Sequence, residues 1–230
     1  MAPPPPAPLL RLLCVHGYRQ NEKTFRERTG SLRKLLRRHA ELLYVSAPLK
    51  VPPVTAEWNQ GAIGTQMEDA RGWWFSNPKE DSFNALDQVD TCKGLDESLE
   101  TVSKAMVELG PFDGVIGFSQ GAALVSMICT LKQKGDPRFY FDFAILIAGF
   151  KSRSKLHADF YKEPISLPSL HVFGDTDRVI AGEMSQELST LFVDPVILTH
   201  PGGHFVPASA PQKQVYFQFL EKFQEKKAAA

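Results

Sequence analysis

The chain has 230 residues, of which 43% are hydrophobic and 23% are charged, values that are ordinary for one globular α/β domain. Its 26 basic and 26 acidic residues balance, so no global field recruits nucleic acid or an anionic membrane surface. The cysteines Cys14, Cys92 and Cys129 are odd in number and contain no Cys-x-x-Cys pair, which argues against a disulfide framework and a zinc site.

The composition along the chain predicts a single domain over residues 9–226. Residues 1–8 are mostly Pro and Ala and lack the basic and apolar regions of a signal peptide, so we expect a disordered leader there and a disordered tail over 227–230. No apolar run reaches the roughly 18 residues of a membrane span. We therefore expect a cytoplasmic protein that also diffuses into the nucleus; the sequence leaves its oligomeric state open.

Strand-like and helix-like segments alternate along the chain. Six short apolar runs predict strands buried on both faces of a sheet, at 9–15, 42–46, 114–117, 143–148, 170–173 and 196–199. Helical periodicity appears at 95–109, 120–134 and 183–192, and again from 211 onward. Residues 47–70 are rich in Pro and Gly without periodicity and predict a long loop. The alternation indicates an α/β class: a doubly wound, mostly parallel sheet of about six strands with helices on both faces.

The first chemical signal is the Gly-x-Ser-x-Gly pattern of residues 117–121, which lies between a predicted strand and a predicted helix. A strand–turn–helix context is typical of the nucleophile elbow of the α/β-hydrolase fold, where a strained turn lifts the serine hydroxyl clear of the sheet. The pattern alone also occurs in ordinary loops. Between a buried strand and an Ala-rich helix, it predicts Ser119 as a nucleophile.

A serine nucleophile needs a base, and the base needs an acid that orients it. His204 lies in a Gly-rich loop after the last predicted strand and is the predicted base; His200, at the strand end, is the alternative. In this fold the acid lies between nucleophile and base in sequence. Asp175 comes early in its turn, where an aspartate typically binds backbone amides. Asp177 is followed by an apolar pair that would bury it, and is the predicted acid.

A tetrahedral intermediate also requires amide donors for its oxyanion. One predicted donor is the backbone N–H of Gln120, at a helix N-terminus where the dipole favours negative charge. The other is the N–H of Tyr18, after the first strand, where His16 is expected to hold the loop by a hydrogen bond. Such a mechanism requires no metal and no organic cofactor.

Six segments along the chain together resemble the family of serine hydrolases first described in yeast. They are Cys-Val-His-Gly (14–17), Arg-Gly-Trp-Trp-Phe (71–75), Gly-Pro-Phe-Asp-Gly (110–114), the Gly-x-Ser-x-Gly pattern, His-Val-Phe-Gly-Asp-Thr-Asp (171–177) and Gly-Gly-His (202–204). The resemblance implies an α/β-hydrolase fold and a carboxylesterase triad of Ser119, Asp177 and His204. It also implies activity on alkyl esters, with long chains favoured among vertebrate members.

Three adjacent aromatics, Trp73, Trp74 and Phe75, carry the remaining substrate information. They predict the wall of an apolar acyl pocket near the 47–70 loop; the alternative is that they pack beneath that loop. The predicted function is a serine carboxylesterase that cleaves small-molecule acyl esters through an acyl-enzyme. Two alternatives stay open: an acyl thioesterase, including one that deacylates proteins, and a binding protein on a hydrolase scaffold.

Overall fold

The computed structural model describes residues 6–53 and 69–230, and its centre is a sheet of six parallel strands. These strands are β1 (Leu10–Val15), β2 (Ala40–Val45), β5 (Gly114–Phe118), β6 (Phe143–Ile147), β7 (Ser169–Gly174) and β8 (Val196–His200). Their order across the sheet is β2-β1-β5-β6-β7-β8. Two shorter strands, β3 (Leu49–Lys50) and β4 (Arg71–Gly72), pair with each other in antiparallel register. The predicted α/β class, with six strands in a parallel sheet, is confirmed.

Helices cover both faces of the sheet. They are α1 (Glu22–Arg28), α2 (Gly30–Leu36), α3 (Leu95–Glu108), α4 (Gln120–Gln133), α5 (Gly182–Ser189) and α6 (Ala210–Ala229), with a 3-10 helix at Lys155–Tyr161. The four predicted helical segments correspond to α3 to α6. Period-two alternation divides β1 between two cores: Leu13 and Val15 pack with α3, α4 and α5, whereas Leu12 and Cys14 pack with α1, α2 and α6.

Two boundary predictions are corrected. The tail expected at 227–230 is helical as far as Ala229, because Lys227 at the end of α6 donates to Asp113 Oδ2 at 2.8 Å and to the Leu9 carbonyl at 3.0 Å. The loop expected over 47–70 contains strand β3, while residues 54–68 of that loop and residues 1–5 of the leader lie outside the described residues. Within 6–53 and 69–230, no helix has the length and apolar character to cross a membrane.

The strand order fixes where a site can form. The chain leaves β1 toward β2 on one side, and it later returns to β5 on the other side of β1. Ligand sites of open α/β sheets lie at such a switch point, outside the carboxyl ends of the strands. Here that edge carries the loops after β1, β5, β7 and β8, which contain the predicted donor, nucleophile, acid and base.

Candidate active site

Ser119 lies in the sharp turn between β5 and α4. Its backbone has φ 54° and ψ −118°, a conformation that is costly for a residue with a Cβ, and its N–H donates to the Ile147 carbonyl at 2.9 Å. The flanking glycines are required by close approach: a Cβ on Gly121 would lie 2.3 Å from the carbonyl oxygens of Val15 and His16. The turn therefore has the strained geometry of a nucleophile elbow.

His204 and Asp177 are in direct contact. His204 Nδ1 lies 2.7 Å from Asp177 Oδ2, and the second carboxyl oxygen of Asp177 accepts from the N–H groups of Val179 at 2.8 Å and Ile180 at 2.9 Å. The Asp177 side chain is wholly buried. A carboxylate held by three hydrogen bonds is suited to fixing one tautomer of the histidine ring, with the proton on Nδ1.

The elbow meets the histidine loop through aromatic packing. The Phe118 and His204 rings lie with centroids 4.8 Å apart. In the described part of the chain, Ser119 and His204 form no hydrogen bond with each other; such nucleophile–base bonds are often long until substrate binds. The rival residues lie elsewhere: the Asp175 side chain is exposed, and the His200 ring packs on Phe205.

The two predicted oxyanion donors flank the serine. A Cβ on Gly17 would lie 3.3 Å from Ser119 Cβ, which places the loop after β1 against the nucleophile. Within residues 6–53 and 69–230, neither the Tyr18 nor the Gln120 N–H donates to a protein acceptor. Both amides are therefore available to a negatively charged oxygen beside Ser119.

His16 holds the donor loop as a neutral imidazole. Its Nε2 accepts from the Ala47 N–H at 2.9 Å, so Nδ1 carries the proton that bonds the Gly17 carbonyl at 2.7 Å. Burial lowers the pKa of His16 to about 4, which keeps the ring neutral at physiological pH. His16 thus has the loop-holding contacts that were expected of it.

The three adjacent aromatics that were predicted to line an acyl pocket are buried in the described structure. Trp73, Trp74 and Phe75 are only 0–2% exposed. Trp73 and Trp74 belong to the core beneath α3 and α4, and Phe75 packs with Leu49 and Val51. Among the described residues these side chains have the packing contacts of the alternative interpretation, and an acyl pocket at these three residues stays a prediction.

Trp74 borders a cleft together with Phe83 and Phe150; the rest of the lining is mostly polar. The ring centroids of Phe83 lie 5.2 Å from Trp74 and 5.9 Å from Phe150. The cleft has a volume of about 10 Å³, room for roughly one water molecule. Sequence reasoning missed Phe83 and Phe150, since neither lies in a motif; only the position of Phe150 just past β6, at the site edge, could have indicated it.

Sequence reasoning also missed the side chain of Gln120. This fully buried amide accepts from the Trp73 N–H and donates to the Trp74 carbonyl, both at 2.8 Å. Its partners lie 46 and 47 residues away, so no local pattern indicates them. Across the described residues, no cluster of three His, Cys, Asp or Glu side chains could hold a metal ion.

Solved structures share this architecture at low sequence identity. SOBER1 of Arabidopsis thaliana aligns with a TM-score of 0.62 and 20% identity, covering 94% of this chain and 99% of that one. An acyl-protein thioesterase 2 of Zea mays aligns with a TM-score of 0.61 and 18% identity, covering 97% of both chains. At such identities the likeness establishes the fold alone, which is the α/β-hydrolase fold.

Sequence relatives are much closer. The chain is 61% identical to Esterase OVCA2 of Xenopus tropicalis over 94% of each protein, and 50% identical to Esterase OVCA2 of Homo sapiens over 94% of this chain and 97% of that one. The family model described as "Serine hydrolase (FSH1)" matches residues 7–216, which include the elbow, the acid loop and the histidine loop. The chain therefore belongs to the FSH1 family of serine hydrolases.

Proposed function

We propose that this serine hydrolase is a carboxylesterase that cleaves acyl esters through a covalent acyl-enzyme on Ser119. The observation that carries the proposal is the convergence of four loops at one sheet edge: a strained serine, a histidine paired at 2.7 Å with a buried aspartate, and two amides without protein acceptors among the described residues. Acyl transfer needs these groups together. The names of its relatives support the ester as the bond that is cleaved.

In the proposed mechanism, Ser119 Oγ attacks the ester carbonyl while His204 Nε2 accepts the hydroxyl proton. Asp177 keeps the other ring proton on Nδ1 and stabilises the imidazolium without taking a proton itself. The amides of Tyr18 and Gln120 hold the oxyanion. His204 then protonates the leaving alcohol, and water attacks the acyl-enzyme by the same route to release the acid and the free serine.

The acyl group is proposed to be apolar, with long chains favoured. Support comes from the cleft bordered by Trp74, Phe83 and Phe150, whose walls are tied to the site: the Trp74 carbonyl binds the Gln120 side chain, and Tyr18 packs on Phe83 with centroids 5.4 Å apart. Because the closed cleft holds about one water, an acyl chain longer than acetyl must displace a side chain. Phe83 is the partly exposed ring of the three and is proposed to move.

The test uses a fluorophosphonate probe and p-nitrophenyl esters on the wild-type chain and on Ser119→Ala. We expect the probe to label the wild type once and the variant not at all. Ester turnover should fall by about 10⁶-fold in the variant, as in other serine hydrolases that lose their nucleophile. Ser126→Ala is the matched control, since Ser126 is a buried serine of the helix that follows the elbow and its hydroxyl donates to the Ala123 carbonyl at 2.6 Å. An Ser119→Ala protein that still hydrolyses esters, with an unchanged fold by circular dichroism, would contradict the proposal.

Paired oxygen and sulfur esters of one acyl group separate the two enzyme classes. A carboxylesterase should show the higher kcat/KM on the oxoester after correction for the uncatalysed rates. A strong preference for the thioester, with Ser119 still required, would make the chain a thioesterase. Turnover of neither ester, with no probe labelling, would leave a binding protein on a hydrolase scaffold.

A further inference from the structure

One continuous set of hydrogen bonds joins the two oxyanion loops behind the nucleophile. On one side, the Gln120 side chain is bonded to the main chain of Trp73 and Trp74, while the Gln120 N–H is one oxyanion donor. On the other side, the Trp73 indole N–H donates to the His16 carbonyl at 2.7 Å. Trp73 is thus bonded to both loops, through its main chain to the elbow and through its ring to the loop after β1.

The second half of this set fixes the direction of the other donor. The Gly17 carbonyl accepts from His16 Nδ1 at 2.7 Å and from the Gln20 N–H at 3.2 Å. In a trans peptide the C=O and N–H point in opposite directions, so pinning the Gly17 carbonyl aims the Tyr18 N–H away from it. The His16 ring that does this lies against Trp73, with ring centroids 5.0 Å apart.

We propose that Trp73 is a positioning residue that sets the separation of the Tyr18 and Gln120 amides for the transition state. The inference rests on the proposed function, because it assigns a role within the same oxyanion site. Trp73 touches no reacting atom and acts through His16 and Gln120. Its complete burial and three anchoring bonds, the third from the Ser98 hydroxyl to its carbonyl, give the rigidity that the role requires.

The geometry predicts an effect on the transition state rather than on substrate binding. Oxyanion donors work at 2.7–3.1 Å from the charged oxygen, and removing one donor costs about 10²–10³ in kcat. If both N–H donors are retained but their separation is no longer fixed, they still stabilise the oxyanion in part. The expected loss on breaking the Trp73 link is therefore about tenfold in kcat, with KM within about twofold of the wild-type value.

The experiment breaks the link at two points, with the variants Trp73→Phe and Gln120→Met. Gln120→Met removes the side-chain amide and keeps the backbone N–H of residue 120, which is the oxyanion donor. For each variant we measure kcat, KM, the pH profile, the affinity for an alkyl trifluoromethyl ketone and the rate of fluorophosphonate labelling. We expect kcat, ketone affinity and labelling rate each to fall about tenfold, with the pH profile unmoved. Both changes break the same connection. The double variant should therefore lose no more kcat than the less active of the two single variants.

Tyr161→Phe is the matched control, because Tyr161 is a buried ring of the same core whose hydroxyl accepts from the Ser152 N–H at 3.0 Å. Tyr161→Phe should lower the melting temperature and leave kcat, ketone affinity and labelling rate unchanged. Trp73 variants that lose stability but keep kcat, ketone affinity and labelling rate would overturn the proposal. If Trp73→Phe does not fold, Gln120→Met decides alone. If the wild type cleaves no ester, the proposed function fails, and the labelling rates still decide the role of Trp73.

Discussion

Two aspartates of one short loop after β7 have very different surroundings. Asp177 is buried, with its carboxylate bonded to His204 and to the amides of Val179 and Ile180. Asp175 is exposed, and its backbone N–H donates to the His200 carbonyl at 2.8 Å. Asp177 can therefore orient the base, whereas Asp175, two positions earlier in the same loop, faces solvent.

We expect Asp177→Asn to lower kcat by about 10⁴-fold with the fold intact, because an amide can still accept from the two backbone N–H groups but would present its NH₂ to His204 and favour the wrong tautomer. Asp175→Asn, the matched control, should keep kcat within about threefold. The measurement is kcat/KM on one p-nitrophenyl ester, with melting temperatures for both variants. If Asp175→Asn were the more damaging change in a folded protein, the acid would be assigned wrongly.

At the scale of elements, the sequence predicted most where a pattern is local. The six strands were predictable because each is a short apolar run buried on both faces, and α3 because its apolar residues recur at helical spacing. Helix α1, the 3-10 helix at Lys155–Tyr161 and the β3–β4 pair were missed. Each depends on a cap or on a distant partner: α1 begins at the capping box of Asn21, and β3 exists only through its pairing with β4.

The same limit applies to the three adjacent aromatics. A run of three large rings beside a flexible loop has the composition of a pocket wall and equally that of a core. Trp73 is held inside by contacts with distant residues, among them Gln120 more than 40 residues away, while Trp74 lies at the edge of a cleft. Candidate residues of the triad and oxyanion loop could be named in advance because the elbow motif fixes which strand ends they follow. The residues that line the cleft could not be named in advance, because they come from three separate segments of the chain.

The cleft leads to a prediction about chain length. Each methylene that enters an apolar channel contributes up to about 0.8 kcal/mol, so two methylenes raise kcat/KM by up to roughly tenfold. We expect kcat/KM on linear p-nitrophenyl esters to rise from C2 until the channel ends, and Phe83→Ala to move that end to longer chains without changing the C2 value. Phe223→Ala, a partly buried ring on the far side of the sheet, is the control. A profile that peaks at C2 in both proteins would remove the cleft from the acyl site.

On the scale of the whole molecule, four of the six histidines are buried and burial lowers the pKa of each; besides His200, three rings in different parts of the fold have large shifts. Burial lowers the pKa of His16 and His157 to about 4 and that of His171 to about 3. His16 lies after β1, His157 in the 3-10 helix and His171 within β7, so the three lie on separate elements of the domain. A histidine in the unfolded chain has a pKa of about 6.5. Unfolding below that pH is therefore accompanied by proton uptake at three positions.

This uptake makes stability depend on pH in a defined direction. Because the folded pKa values lie below the unfolded value, the unfolded state binds more protons between about pH 4 and pH 6.5, and the free energy of unfolding rises with pH across that window. The histidine contribution is fully present above about pH 6.5 and is lost as the pH falls toward 4. Each proton is worth about 1.4 kcal/mol per pH unit, so three give a slope of up to about 4 kcal/mol per unit.

We therefore expect denaturant unfolding to show a steep loss of stability between pH 6.5 and pH 5, where aspartates and glutamates are still ionised in both states. Over those 1.5 pH units the slope removes up to about 6 kcal/mol, enough to unfold a domain at the low end of the usual range of about 5–15 kcal/mol. His171→Gln should flatten the slope by about a third, because it removes one of the three rings with large pKa shifts. A free energy of unfolding that stays flat from pH 7 to pH 5 would mean that the three rings take up protons without unfolding, and that their burial does not oppose the charge.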